Sequence, residues 1–201
     1  EAIVLKCKKF RDTSKLVTLY TEDFGKCTVV ANGARRAKNK FGSALEPTAC
    51  SSVTMYKHPN KDLHTLSAAE TSIPLRVISD SFELLTTAMS MLELIYTTQL
   101  DEEQNPNLYH LLRYSLQILN TGPEYPHSLL IAFKLHLASE MGFAVDPSQC
   151  PESGEVVTPD QAEEFVLSLA DAAPFSPPLA LNRAGFRLPA SALAALQHFA
   201  T

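Results

Sequence analysis

The sequence predicts an α+β chain: a small five-stranded β-barrel in residues 1–75, followed by an all-α helical domain in residues 76–201. Three observations carry that reading. Apolar residues recur with a period of two as far as Glu70 and with helical spacing from Ser79 onward. The first 70 residues hold five short strand-like runs around one long internal loop, which suits a closed or nearly closed barrel. The charge divides near the same place. Residues 1–61 carry twelve basic against five acidic side chains, a balance of +7, and the remaining 140 carry five against seventeen, a balance of −12. The formal net charge of −5 hides this pairing of a basic module with an acidic scaffold.

Ile3, Leu5 and Cys7 alternate with Val4, Lys6 and Lys8, the pattern of a half-buried first strand. Lys15–Thr21 and Lys26–Asn32 are the second and third, separated by the turn Glu22-Asp-Phe-Gly25. A loop runs from Gly33 to Gly42. Ser51–Lys57 and Leu63–Glu70 follow as strands around the turn cluster His58–Asp62. Phe82, Leu85, Met89, Leu92 and Tyr96 trace the face of a first helix, with Asp80 and Glu83 at the spacing of an N-terminal cap. Leu108, Leu111, Leu112, Leu116 and Leu119 trace a second that stops at Asn120-Thr-Gly122-Pro123. Leu130, Phe133, Leu137 and Met141 trace a third, ended by Gly142. Thr158-Pro159-Asp160 opens a fourth. Pro174, Pro177 and Pro178 read as an extended linker before a final helix over Pro189–Phe199.

At 201 residues and 45% hydrophobic content the chain can bury a core without staples, which excludes disordered and collagen-like classes. Cys7, Cys27, Cys50 and Cys150 include no Cys-x-x-Cys pair, so zinc-ribbon and thioredoxin-type motifs are missing and a reducing, cytoplasmic setting is expected. The apolar stretches Leu84–Leu100 and Leu129–Met141 are interrupted by polar residues at helical spacing. No signal peptide is expected, and trimming at both ends is, since the chain starts at Glu1 and stops within a helix-like run. GxSxG, HExxH and Walker A patterns are missing. Asp101-Glu-Glu-Gln104 reads as a solvated helix end, and His136 with Glu140 as a surface pair. No enzyme is expected.

The informative feature is the loop Gly33–Gly42, which holds Arg35, Arg36, Lys38 and Lys40 within six residues, followed by Phe41. On a barrel, such a loop can lie along a phosphate backbone, and flexibility at its glycine ends lets several cations reach successive phosphates. Lys6, Lys8 and Lys9 on the first strand, with Arg11 and Lys15 around the turn after it, extend the same positive face. The competing reading is a solvated loop kept soluble by its charge. Phe10, Phe41 and Tyr20 are either base-stacking rings or core residues. A non-catalytic protein-interaction adaptor and an RNA-binding barrel remain the alternatives to a DNA binder.

The segments Leu19-Tyr-Thr-Glu-Asp-Phe-Gly25, Val29-Val-Ala-Asn-Gly-Ala-Arg-Arg36, Phe41-Gly-Ser-Ala-Leu-Glu-Pro47, Leu66-Ser-Ala-Ala-Glu70 and Met141-Gly-Phe-Ala-Val145, in that order, resemble the bacterial RecO family of DNA repair proteins from about Ala2 to Glu155. The resemblance implies an N-terminal OB-fold and a recombination mediator without cofactor turnover. It implies binding of ssDNA and dsDNA, annealing of complementary strands, and work with RecR in loading RecA onto DNA coated by single-stranded-DNA-binding protein (SSB), in a nucleoid-associated setting. It places the DNA-facing loop on Gly33, Arg35, Arg36, Lys38 and Lys40, with Gly33 and Gly42 as hinges. Lys6, Lys8, Lys9, Arg11 and Lys15 rest on charge alone. A groove for the acidic SSB C-terminal tail would need one of Arg76, Arg113 or Lys134. Many members carry a four-cysteine zinc site just past the Gly-Phe pair. Here that stretch, about 146–156, keeps only Cys150, with Ser153 where a second cysteine would stand. One thiolate cannot hold tetrahedral zinc, so no metal is expected, and Cys150 and Gly154 are left to the local turn.

Overall fold

Strand β1 (Ala2–Phe10) pairs antiparallel with β2 (Ser14–Thr21), and β2 with β3 (Gly25–Ala31). Strands β4 (Cys50–Tyr56) and β5 (Leu63–Ile73) form a second antiparallel pair. Parallel pairing of β3 with β5, and antiparallel pairing of Ala2 and Ile3 with Ser51 and Cys50, close the ring in the order β1-β2-β3-β5-β4. Closure leaves the barrel no long free edge. This is the five-stranded OB-type barrel that the sequence predicts. The computed structural model describes residues 1–58, 63–168, 170–180 and 183–200. Of the turn expected at His58–Asp62, only His58 is among them.

The inward side chains follow from the two-residue period: Val4, Val17, Leu19, Cys27, Val29, Ala31, Leu66 and Ala69 form one buried cluster. Strand β1 departs from strict alternation, because Ala2–Leu5 are all buried and the register shifts between Val4 and Lys6. Its outer side, at Ile3, is covered where α2 packs on β1. The segment between β3 and β4 contributes Ala34, Phe41, Ala44 and Leu45 to the same core.

Four helices follow: α1 (Arg76–Asp80), α2 (Phe82–Thr98), α3 (Pro106–Leu119) and α4 (Pro126–Glu140). Ser81, not Asp80, caps α2; its hydroxyl accepts the Leu84 N–H at 3.4 Å, while Asp80 ends α1. The buried face of α2 is Leu84, Ala88, Met91, Leu92 and Ile95. Of the predicted stripe only Leu92 is buried, and Phe82 is 84% exposed. The helix is apolar on two sides, and periodicity cannot choose between them. Helix α3 matches its prediction, with Asn105 as cap and Leu108, Leu112, Leu116 and Leu119 buried.

The chain divides into two compact units, Glu1–Leu130 and Ile131–Thr201. In the second, Gly142 (φ 83°) ends α4 with a paired 6→1 and 5→2 closure: the Phe143 N–H donates to the Ala138 carbonyl at 2.8 Å and the Gly142 N–H to the Ser139 carbonyl at 3.0 Å. Beyond it the all-α expectation gives way. Thr158–Gln161 forms only one 3₁₀ turn, held by the Thr158 N–H on Gln161 Oε1 at 3.0 Å. The chain then enters a three-stranded sheet of order β7-β6-β8, with β6 (Glu164–Ser168), β7 (Ala173–Pro174) and β8 (Phe186–Pro189). The predicted proline linker holds β7 and the short α5 (Pro177–Ala180). The final helix is α6 (Ala190–Ala200), as expected. Cys150, Val157, Phe165, Phe175, Leu188 and Leu193 form this unit's core. No helix among the described residues is long and apolar enough to cross a membrane.

Candidate nucleic-acid interface

The hairpin β1–β2 turns at Arg11-Asp12-Thr13, with Arg11 in the left-handed region at φ 50°. The basic loop docks on this turn. The Arg35 N–H donates to the Thr13 carbonyl at 2.9 Å, and Arg35 Nη1 donates to the Arg11 and Asp12 carbonyls at 3.2 and 2.9 Å. At the other end, Asn39 Oδ1 accepts the N–H groups of Phe41 and Gly42 at 3.0 and 2.9 Å, and Phe41 is buried in the barrel core. Gly33 (φ 74°) and Gly42 (φ 54°) take left-handed conformations at the two ends. The loop is therefore not the free arm that its composition suggests. It is pinned at Arg35 and at Asn39–Phe41, and Arg36–Lys38 projects between the pins.

The nine candidate cations fall into three groups. Lys8, Lys9, Arg36 and Lys38 are exposed, with no ion pair or side-chain hydrogen bond among the described residues. Arg11 and Arg35 sit at the hairpin–loop junction; Arg11 stacks on Phe10 at 5.1 Å, and Arg35 bonds carbonyls through one of its nitrogens. Lys6, Lys15 and Lys40 are engaged elsewhere. Lys6 lies 4.4 Å over the Tyr96 ring of α2. Lys15 pairs with Glu46 at 2.7 Å, and that hydrogen bond holds its ammonium above the ordinary value. Lys40 donates to the Ser67 carbonyl. Of the three rings considered for stacking, Tyr20 and Phe41 belong to the interior and Phe10 remains half-exposed.

A second charged feature was not anticipated. Asp101-Glu102-Glu103-Gln104, expected as a solvated helix end, is a strap laid on the barrel at β3. The Glu102 N–H donates to the Lys26 carbonyl at 2.7 Å, Asp101 pairs with Lys26 at 3.3 Å, and Glu102 pairs with Lys57 at 2.8 Å. Glu102 also meets His64, which is 1% exposed, at 2.8 Å. Since His64 Nδ1 accepts the His58 N–H at 3.3 Å, its Nε2 carries the hydrogen and donates to Glu102. Lys57 first and His64 second hold the Glu102 carboxyl below the usual carboxylate range. Gly25 is what lets the strap approach: a Cβ there would lie 1.9 Å from the Glu103 carbonyl oxygen. In the sequence this glycine looks like an ordinary turn residue. The strap neutralises Lys26 and Lys57, so the positive field of the barrel concentrates at the hairpin–loop end.

Comparison with known proteins fits this geometry. The family model "Recombination protein O N terminal" matches residues 1–74, and "Recombination protein O C terminal" matches residues 79–201. The chain belongs to the RecO family. It is 33% identical over 171 residues to the DNA repair protein RecO of Salinibacter ruber, covering 85% of this chain and 64% of that protein. It is 30% identical over 190 residues to that of Chloroherpeton thalassium (92% and 73%), and 33% identical over 159 residues to that of Prosthecochloris aestuarii (78% and 60%). Against two of these three relatives, then, the chain spans less than two thirds of their length. Those relatives are named as DNA repair proteins, and both family models as parts of recombination protein O.

The stretch 146–156, where the resemblance implies a four-cysteine zinc site, holds Cys150 as its one thiol. The Cys150 sulfur is buried and accepts the backbone N–H groups of Ser153, Ser176 and Glu152, with the Ser153 hydroxyl beside it. Burial alone would raise the Cys150 thiol; the hydrogen bonds outweigh it and bring the group down to about 6. Cys150 thus does more than shape its own turn, since it ties Glu152–Ser153 to Ser176. Among the described residues no three His, Cys, Asp or Glu side chains converge as a metal site.

Proposed function

We propose that the hairpin–loop end of the barrel holds the phosphate backbone of DNA and that the protein anneals complementary strands as a recombination mediator, without catalytic turnover or a bound metal. The observation that carries this reading is the cluster of Lys8, Lys9, Arg36 and Lys38, unpaired among the described residues and adjoining Arg11 and Arg35. Contacts to phosphate leave base edges free, so two strands brought to one positive surface lose part of their mutual repulsion and can still pair. Nothing in the cluster resembles a recognition helix, so sequence preference is not part of the proposal.

Loading of RecA with RecR, and release of SSB, belong to the same proposal as properties of the whole protein. The acidic SSB tail is assigned to Arg76. This cation lines an open groove of about 500 Å³ whose other walls include Pro47, Ile73, Pro74 and Leu75. The experiment is strand annealing of complementary oligonucleotides by the native chain and by R35A/R36A/K38A. The native chain accelerates annealing and the variant loses most of the acceleration; equal rates for the two proteins would refute the assignment.

A further inference from the structure

We propose that the groove beside the β1–β2 hairpin tip holds one unstacked base of single-stranded DNA while the neighbouring cations hold its phosphates. The inference rests on the DNA-binding reading above and adds to it a base site that the charge argument does not require.

The groove measures about 280 Å³, and its walls include Phe10, Arg11, Val30, Asn32, His58 and Thr65. Its chemistry suits a flat aromatic heterocycle. The Arg11 guanidinium lies over the Phe10 ring, 5.1 Å from its centroid, and Arg11 is exposed, so the ring backs a planar cation, a platform whose outer face can take a base whatever the base. The rest of the rim is polar. The Ser14 hydroxyl donates to Asn32 Oδ1 at 3.2 Å, which leaves the Asn32 amide nitrogen as the end available to a ligand. His58 Nε2 lies 3.0 Å from Thr65 Oγ1. No acidic side chain lines the groove among the described residues, in contrast to the larger groove at Arg76, whose wall carries Glu46.

Position selects DNA as the occupant. Phe10 pairs with Ser14 at the end of the hairpin, one register step beyond the Lys9–Lys15 pair. The Arg11 carbonyl accepts Arg35 Nη1 at 3.2 Å, so the groove wall and the cationic loop are one assembly. A base seated there has its own phosphates beside the junction where Arg35 joins the hairpin turn. A groove of about 280 Å³ has room for a single base, and a base must leave its stack to enter it, so the site favours single strands over duplex. Rigid support lies beneath, where buried His64 is held between the His58 N–H and Glu102.

The test compares a single-stranded oligonucleotide with an abasic one of equal length, binding the full chain at fixed salt. The native chain binds the abasic strand about tenfold more weakly, the loss expected from one stacked base. F10L removes the platform ring and keeps an apolar side chain; it abolishes that tenfold difference and leaves the salt dependence of binding unchanged. R11G removes the guanidinium and relieves the left-handed φ, so it abolishes the difference without a folding defect. Equal affinity of the native chain for the two strands overturns the base site, as does a difference retained in F10L. Loss of salt-dependent binding to both strands by the native chain would instead overturn the DNA reading beneath it.

Discussion

Replacing Gly25 by alanine tests whether the acidic strap is part of the barrel's architecture. Two costs add. At φ 65° a non-glycine residue carries a penalty of about 1 kcal/mol. The new Cβ would also sit 1.9 Å from the Glu103 oxygen and 2.5 Å from its carbonyl carbon, so the strap backbone must move. Moving it breaks the Glu102 N–H bond to the Lys26 carbonyl, about 1 kcal/mol, and loosens the Asp101–Lys26 pair, less than about 1 kcal/mol because Asp101 is exposed. The total is about 2–3 kcal/mol, which lowers the melting temperature by roughly 5–10 °C for a unit of this size. G42A is the control, because Gly42 has φ 54° with open space around its would-be Cβ. It carries the conformational penalty alone. Thermal unfolding followed by circular dichroism reads both variants. If G25A costs no more than G42A, the strap contact is not holding the fold.

The same contacts and the C-terminal unit give further tests. Glu102 is held below its unfolded pKa, so its contribution is present above the unfolded value, near 4.3, and is lost as pH falls through the lower folded value. Protection of the Glu102 amide against hydrogen exchange, taken relative to its intrinsic rate, should therefore fall on acidification, and E102Q should remove that dependence; protection insensitive to pH would contradict it. Cys150 is lowered to about 6, below the ordinary thiol value, so its contribution grows as pH rises between the two, by roughly 1.4 kcal/mol per pH unit at most. Urea unfolding of C150S should lack this slope, and an identical slope in the variant would assign it to other groups. K15A, which breaks the Glu46 pair, should change stability by less than about 1 kcal/mol and leave DNA affinity nearly unchanged, whereas K38A should weaken binding with no change in stability. The reverse pattern would reassign the interface.

Much of the barrel was legible because its strands alternate and its turns carry glycine, proline and aspartate. Helix α3 was legible for the same kind of reason, with one apolar stripe and an Asn105–Pro106 start. The failures have a common cause, which is tertiary context. In α2 two stripes compete, and only packing decides that Leu84, Ala88 and Met91 turn inward. The start signal at Thr158-Pro159 is real and does form a turn, but the residues after it enter β6, the central strand of the three-stranded sheet, in place of a helix. For the candidate interface, the +7 of the first 61 residues points to the barrel as the cationic end. Which cations are available was not legible there. Lys6, Lys15 and Lys40 find their partners at Tyr96, Glu46 and Ser67, at sequence separations that no local pattern reports.

That partition sets the number of phosphates the barrel can meet. Four unpaired cations, with Arg11 and Arg35 beside them, correspond to about four to six contacts, so log K for single-stranded DNA should fall with log[salt] at a slope between about −3 and −4. R36A/K38A should reduce the magnitude of that slope by about 1.4, while K6A and K15A leave it in place. A native slope near zero, or a slope lost equally through Lys6 and Lys15, would contradict the placement of DNA at the hairpin–loop end.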